Sequence, residues 1–425
     1  MSWLEQEIAE NIKWLENVAG EHPDVVVDDL PSPELSINGR TVVSFCSNNY
    51  FGLSKHPDVI DSARRAMNRY GIGTCESRRL GGNLQILEDL ENSIAKFKDK
   101  DSAVIFPTGL LTNMATIPTL TDTSFYRKLF WGSEMPDEEV PVILSDELNH
   151  RSIQMGIRLS RADSFKYKHA DTEDLEHKLR DNRGRKVLII TDGVFSMDGD
   201  MAPLDRITRL SNKYGAMLMV DDAHGTGIYG RNGRGSGEHF DVSKDIDVHM
   251  GTFSKTFGGL GGFVAVNADL AKAIKYTSSG YYFTSSLPAE QAAGLITSIK
   301  IVSNTPSLRR CLWNNVEQVT RGLTGIGVEI PNRWSHIIPI HVGDDSKAQL
   351  MEELLLERGI LCSSVHAPAV PRGTARLRIT INSTHTQEHI NTLLEAVHDM
   401  ANLLNLTLQP KTSIEVSASF GIVPG

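Results

Sequence analysis

At 425 residues the chain exceeds what one small core needs, so two or three packed units are expected. Hydrophobic residues at 40% and charged residues at 23% are the proportions of an ordinary soluble globular protein. With 43 basic and 53 acidic side chains the net charge is −10, which argues against a broad nucleic-acid footprint but leaves room for a local basic pocket.

Cys46, Cys75, Cys311 and Cys362 are far apart and form no C-x-x-C, a pattern of reduced thiols in a cytosol rather than of disulfides. There is neither a signal peptide nor an apolar run of about 18 residues. No membrane span is therefore predicted, and the expected location is cytoplasmic.

Leu4, Ile8, Ile12 and Leu15 recur at helical spacing in an acidic segment, which predicts a helix packed on its own or a partner subunit. Pro31, Pro33, Asn38 and Gly39 mark a loop and a turn before a short strand at 42–46. Leu87, Leu90, Ile94 and Phe97 form a core-facing helical stripe, and a strand at 103–106 leads into Pro107-Thr108-Gly109-Leu110. A strand, a small glycine turn and a following helix offer amide N–H groups and a positive helix end to a phosphate. Residues 121–140 read as an inserted loop over the active-site mouth or at a subunit contact.

Strands then alternate with helical stretches up to about residue 265, including 142–144, 186–191 and 216–220. That alternation indicates a mostly parallel sheet covered on both faces. From about 305 the pattern changes to a smaller α/β unit. It has a helix at 346–358, a strand with Arg376, Arg378 and Thr380 on one face, and a last helix carrying Ile390, Leu393, Val397 and Leu404. The expected divisions are an N-terminal helix and arm (1–60), a large domain (61–304) and a small C-terminal domain (305–425).

The chemistry concentrates between Val220 and Phe263. The apolar strand ending at Val220 runs into Asp221-Asp222-Ala223-His224, and ligands of open α/β sheets bind at such carboxyl ends. Asp221 continues the strand and is the better placed of the two acids to favour a protonated ring nitrogen. Lys255 stands between Thr252, Ser254 and the glycines 258, 259, 261 and 262. Burial among small residues lowers an amine's pKa and makes it a nucleophile and base. A lysine that forms a Schiff base, with an acid for a pyridinium nitrogen, is what a pyridoxal 5′-phosphate (PLP) site requires. An ATPase reading of V-D-D-A-H fails, because no G-x-x-x-x-G-K-[ST] loop occurs. No histidine and acid spacing marks a metal site.

From Ser47 (S-N-N-Y-F-G-L-S-K-H-P) to His385 (G-T-A-R-L-R-I-T-I-N-S-T-H) the chain resembles the α-oxoamine synthase family. The implied fold is α/β, fold-type I PLP-dependent transferase and aspartate aminotransferase-like, with a mostly parallel sheet in the large domain and a smaller C-terminal α/β domain. The resemblance implies that Lys255 holds PLP, Asp221 faces its ring nitrogen, and His224 reaches a second heteroatom. It implies that His150 of S-D-E-L-N-H-R-S stacks on the ring and helps bind the reacting carboxylate or acyl group. Thr108, Gly109 and Leu110 match the phosphate cup, Thr252 a phosphate donor, and Ser196 a hydroxyl on the cofactor side. Asn48 and Arg378 match positions that hold the amino-acid carboxylate.

Ser77 matches a position facing the amino-acid side chain, beside a Glu76 that departs from the family's small residue. Ser285 matches a residue reaching the neighbouring subunit's phosphate, which implies a homodimer with composite sites, with Ser286 capping the helix before Pro288 as the plainer use of that block. Asp198 is expected to shape a turn, and Arg376 to make a surface ion pair. The implied reaction joins a small amino acid to an acyl thioester, on CoA or a carrier protein, with loss of CO2. An aminotransferase, a racemase, a retro-aldol lyase and a non-catalytic PLP-binding regulatory domain are the alternatives.

Overall fold

The computed structural model describes residues 2–19, 25–29, 33–122, 140–332, 334–367 and 369–404. The expected insertion falls mostly on 123–139, outside the described residues. The first strands, β1 (Glu34–Ile37) and β2 (Arg40–Ser44), form a hairpin turned by Asn38 and Gly39, both at positive φ.

Seven strands make the main sheet: β3 (Ser102–Phe106), β4 (Val142–Asp146), β5 (Asp163–Tyr167), β6 (Val187–Asp192), β7 (Met217–Asp221), β8 (Val248–Thr252) and β9 (Gly262–Val266). Their order is β3-β9-β8-β7-β6-β4-β5. All run parallel except β9, which pairs antiparallel with both β3 and β8. The mostly parallel sheet expected from the sequence is therefore present.

Period-2 alternation sorts the strand residues between two covered faces. Ile143, Ile190 and Met219 pack against Ile117, Ile153 and Ile274 of the helices Gly109–Thr121, Arg151–Leu159 and Ala268–Thr277. Their neighbours Leu144, Ile189 and Leu218 pack on the other side against Leu175, Leu179, Leu204 and Ile207 of Thr172–Asp181 and Leu204–Tyr214. Both faces are thus dry, and each large apolar side chain so buried stabilises the fold by about 1.5–3 kcal/mol. The chain leaves β4 toward β5 and returns across it to β6. That reversal opens a crevice at the strands' carboxyl ends.

Further along, β10 (Ile337–Gly343), β12 (Ser363–Val365) and β13 (Ala375–Thr380) form a small antiparallel sheet in the order β10-β13-β12. Between them β11 (Ile360–Leu361) pairs parallel with β2, so the N-terminal hairpin is completed by the C-terminal segment. Phe45 N donates to Leu361 O at 2.7 Å and Thr380 N to Phe45 O at 2.6 Å, which carries residues 47–50 toward the crevice.

Three local expectations change. The Trp3–Ala19 helix leaves Leu4, Ile8 and Ile12 exposed, so among the described residues its stripe is not covered by its own chain and only the partner-subunit alternative stands. The helix after Pro288 starts at Ala289 with Pro288 itself at the N-cap and no side-chain cap, so Ser286 does not cap it. Arg376 does pair with Asp198, but its side chain is only 6% exposed, so the pair is not a surface one.

Candidate active site

The crevice holds a cavity of about 260 Å³. Four successive strand ends supply it: His150 follows β4, Asp192 ends β6, Asp221 ends β7 and Lys255 follows β8. Residues 29 to 105 apart in sequence meet there because parallel strands bring all their carboxyl ends to one edge.

Asp221 sits at the floor. Asn113 Nδ2 donates to Asp221 Oδ2 at 2.7 Å and Ala223 N to Asp221 Oδ1 at 3.1 Å, which holds the carboxylate rigidly toward the cavity. Asn113 also donates to Ser152 Oγ at 2.8 Å, and Ser152 Oγ lies 2.7 Å from His150 Nδ1. The His150 ring is thereby anchored while remaining exposed to the cleft. Burial holds its pKa below the usual imidazole value, against the pull of Asp221. Asp192 accepts from His150 N at 3.0 Å. Burial, reinforced by the Asp221 charge, pushes its carboxyl well above the usual range.

Lys255 Nζ lies 2.7 Å from His224 Nε2. The lysine is half-buried and lines the cavity. Burial lowers its pKa to about 8 and Arg378 pushes the same way, while Asp221 and Asp192 oppose. His224 is buried and held well below the ordinary imidazole value, first by burial and then by the cations Lys255 and Arg378.

The opposite wall is the start of the Gly109–Thr121 helix. Thr108 Oγ1 accepts from Leu111 N at 3.0 Å, and the first intrahelical bond runs from Thr112 N to Thr108 O. The amides of Gly109 and Leu110 precede that bond, and both residues line the cavity, as an anion site needs. A Cβ on Gly262 would stand 2.3 Å from Thr112 Oγ1 and 2.8 Å from Gly109 Cα, so the backbone behind the cradle requires glycine there, while one on Gly109 would make a tight 3.2 Å contact with Thr252 Oγ1. Thr252 Oγ1 and Ser254 Oγ, 2.8 Å apart, complete it. A phosphate cradle, a rigid carboxylate and a desolvated lysine around one cavity fit PLP: Gly109, Leu110, Thr252 and Ser254 could hold its phosphate and Asp221 its ring nitrogen.

Of the residues singled out from sequence, Thr108, Gly109, Leu110, His150, Ser196, Asp221, His224, Thr252 and Lys255 line this cavity. Asn48 and Arg378 stand behind it. Tyr50 Oη donates to Asn48 Oδ1 at 3.2 Å, and Arg378 donates to Ser196 O at 2.6 Å and Thr380 Oγ1 at 3.0 Å. Ser77 and Ser285 are outside it, bridged to each other. Glu76 Oε1 accepts from Ser77 N at 2.7 Å, turning the unexpected carboxylate back onto the chain.

Sequence reasoning passed over Asn113, Ser152 and Asp192. Asn113 stands one turn inside the phosphate-cup helix, and Asp192 follows an apolar strand as Asp221 does; the second signal was available.

The fold and this site are those of a PLP-dependent transferase of fold-type I. The profile of the aminotransferase class I and II family matches residues 40–397. The chain is 35% identical over 403 residues to 8-amino-7-oxononanoate synthase of Alkaliphilus metalliredigens, covering 94% of this chain and 98% of that one. It is also 35% identical over 382 residues to serine palmitoyltransferase of Bacteriovorax stolpii, covering 89% and 87%. A serine palmitoyltransferase structure with PLP superposes with a TM-score of 0.87 at 30% identity, covering 96% of this chain and 100% of that one. The chain belongs to the α-oxoamine synthase family, and it is a PLP-dependent acyltransferase.

Proposed function

We propose that the protein condenses a small amino acid with an acyl thioester, releasing CO2 and the free thiol and leaving an α-amino ketone. The observation that carries this reading is the Lys255–His224 contact of 2.7 Å in a cavity floored by Asp221, in a chain whose relatives include an 8-amino-7-oxononanoate synthase and a serine palmitoyltransferase. When bound, PLP supplies an electron sink for charge developing at the substrate Cα.

This chain's residues do the rest. Lys255 anchors the cofactor and takes the Cα proton at Nζ, a role suited to an amine whose pKa lies near 8. Asp221 keeps a proton on the ring nitrogen. With the cofactor bound, His150 would lie against its ring and orient the incoming acyl group, and His224 would help position the nitrogen of Lys255. Asn48 and Arg378 hold the carboxylate, Arg378 by a guanidinium suited to two-point contact. Orientation of this kind can contribute on the order of 7–11 kcal/mol to the rate. The small side chain of Ser77, where threonine would favour glycine, leaves room for alanine or serine by volume.

Ser77 and Ser285 lie outside their own chain's cavity, which supports their use across a homodimer. The oxononanoate, aminoketobutyrate and sphingoid-base products are all compatible with these residues, as are CoA and carrier-protein thioesters. The division into 1–60, 61–304 and 305–425 is retained as a proposal, supported by the main sheet lying between Ser102 and Val266. Among the described residues no helix is long and apolar enough to cross a membrane, and a cytoplasmic location is proposed.

The test is a panel of amino acids against acyl-CoAs of different lengths, read by thiol release. Release that needs both substrates and disappears in Lys255→Ala is expected. Amino-group exchange without thiol would instead assign an aminotransferase.

A further inference from the structure

Thr256 has no part in the roles above, yet it ties the lysine turn to the histidine loop. It follows Lys255 directly and is buried. Its Oγ1 donates to Thr226 O at 2.8 Å, and a carbonyl oxygen only accepts, so the direction of this bond is settled. Thr226 stands two residues beyond His224. Among the described residues this is the one hydrogen bond between the turn 253–261 and the loop 222–236 apart from the Lys255–His224 contact itself. Otherwise the turn closes on its own backbone, with Gly258 N donating to Lys255 O at 3.0 Å and Gly259 N to Phe253 O at 3.1 Å. Packing at the tether is close. Gly227 has φ +91°, and a Cβ there would stand 3.0 Å from Thr256 Cβ and nearer still to its methyl.

The loop that receives this bond is itself anchored. Thr226 Oγ1 donates to Asp222 Oδ2 and Ser236 N to Asp222 Oδ1, both at 3.1 Å. Lys98, at the end of the Gln85–Lys98 helix, donates to Thr226 Oγ1 at 3.2 Å and to Arg234 O. Both ends of the loop are thus pinned to the buried Lys98–Asp222 pair, and a tether to Thr226 is a tether to a rigid frame. The groups facing Lys255 are His224 on this loop, Asp221 and Asp192 at the ends of β7 and β6, Arg378 on β13, His150 after β4 and His336 before β10. Thr256 carries no charge, so a change there reaches the amine through its position and hydration alone.

We propose that Thr256 is a positioning residue whose hydroxyl locks the lysine turn to the histidine loop and so holds Lys255 Nζ in its confined place beside His224. The inference rests on the assignment of Lys255 as the cofactor-bearing amine made above, but not on the identity of either substrate.

The test is the pH dependence of PLP uptake by the cofactor-free protein, followed by stopped-flow absorbance without substrates. The aldehyde of PLP joins the neutral amine with loss of water, so the uptake rate of the unsubstituted protein has its midpoint near pH 8. Thr256→Val keeps the shape of the side chain and removes the hydroxyl. The freed turn then lets water reach the amine, and the midpoint is expected to rise by about one pH unit toward the ordinary lysine value. Thr256→Ser keeps the hydroxyl and should keep the midpoint. A midpoint unmoved in Thr256→Val overturns the proposal even where the melting temperature falls, since a purely structural hydroxyl would behave that way. Equal shifts in the valine and serine variants also overturn it, because the hydroxyl would then not be the cause. If Thr256→Val does not fold, Thr256→Ala is read by the same criterion. An absorbance change that persists in Lys255→Ala would overturn the lysine assignment and the proposal with it. Because no substrate is present, this titration can fail while thiol release stands, and the reverse.

Discussion

Two adjacent carboxylates end β7 and are used differently. Asp222 pairs with Lys98 at 3.1 Å, both side chains 1% exposed, and also accepts from Thr226 Oγ1 and Ser236 N. It is fully committed to a buried ion pair, which leaves Asp221 for the cavity. Removing one partner of such a pair strands the other charge in the interior and costs about 3–5 kcal/mol. Asp222→Asn should therefore lower the denaturation midpoint strongly, while Asp221→Asn should keep stability near normal and lose thiol release; equal stability losses in both would contradict the division. Lys255 gives a second expectation at this scale. Its amine is protonated below about pH 8 and neutral above it. The rate at which the cofactor-free protein takes up PLP should rise through that pH and then level off, and stopped-flow absorbance reads it directly.

At the scale of elements, His169 ties three segments together. Its Nδ1 lies 3.0 Å from Asp146 Oδ1 at the end of β4, and its Nε2 2.7 Å from Asp200 Oδ2 beyond β6. Burial alone would lower its pKa, but the hydrogen bonds and charges of the two carboxylates outweigh that and raise it to about 10. A folded-state pKa above the unfolded value of about 6.5 means a stabilising contribution that is complete below pH 6.5 and disappears as pH rises toward 10. The melting-temperature difference between the protein and His169→Gln should be largest near pH 6 and shrink steadily toward pH 10. Growth of the gap with pH would contradict the charge assignment.

The lysine loop is fixed by close backbone approach. Gly258 has φ +67°, and a Cβ there would stand 2.4 Å from Ser54 N. Gly258→Ala combines a left-handed backbone with a clash against main chain, so loss of PLP retention is expected together with a lower melting temperature. A variant that keeps both unchanged would show that the loop has room to move.

At the scale of the whole molecule, the N-terminal hairpin closes on β11 and delivers Tyr50, hydrogen-bonded to Asn48, to His224, 174 residues away from Tyr50. Ser285 is exposed and outside its own cavity. If it completes the neighbour's site, mixing Lys255→Ala chains with Ser285→Asp chains should regain activity that neither variant has alone. A hybrid dimer then carries one site built wholly from intact residues. A mixture that stays inactive after verified chain exchange would remove Ser285 from the site.

The sequence alone determined the alternation of strands and helices, the strand-end acid, the lysine among hydroxyls and glycines, and the glycine turn before a helix. Each is a local pattern, because periodicity and turn chemistry act over a few residues and leave their mark in composition. Choosing Asp221 over Asp222 by strand continuation also needed only local reasoning, since side chains alternate along a strand. Only the tertiary structure decided that Lys98 takes Asp222, that Asn113 braces Asp221, that Asp192 stands beside it, and that the Tyr50 hydroxyl reaches His224. Those contacts join residues more than a hundred apart in three of the four cases and 29 apart in the other, across neighbouring strands. Nothing in the local chain chemistry records a partner that arrives through sheet order and the closure of one end of the chain on the other.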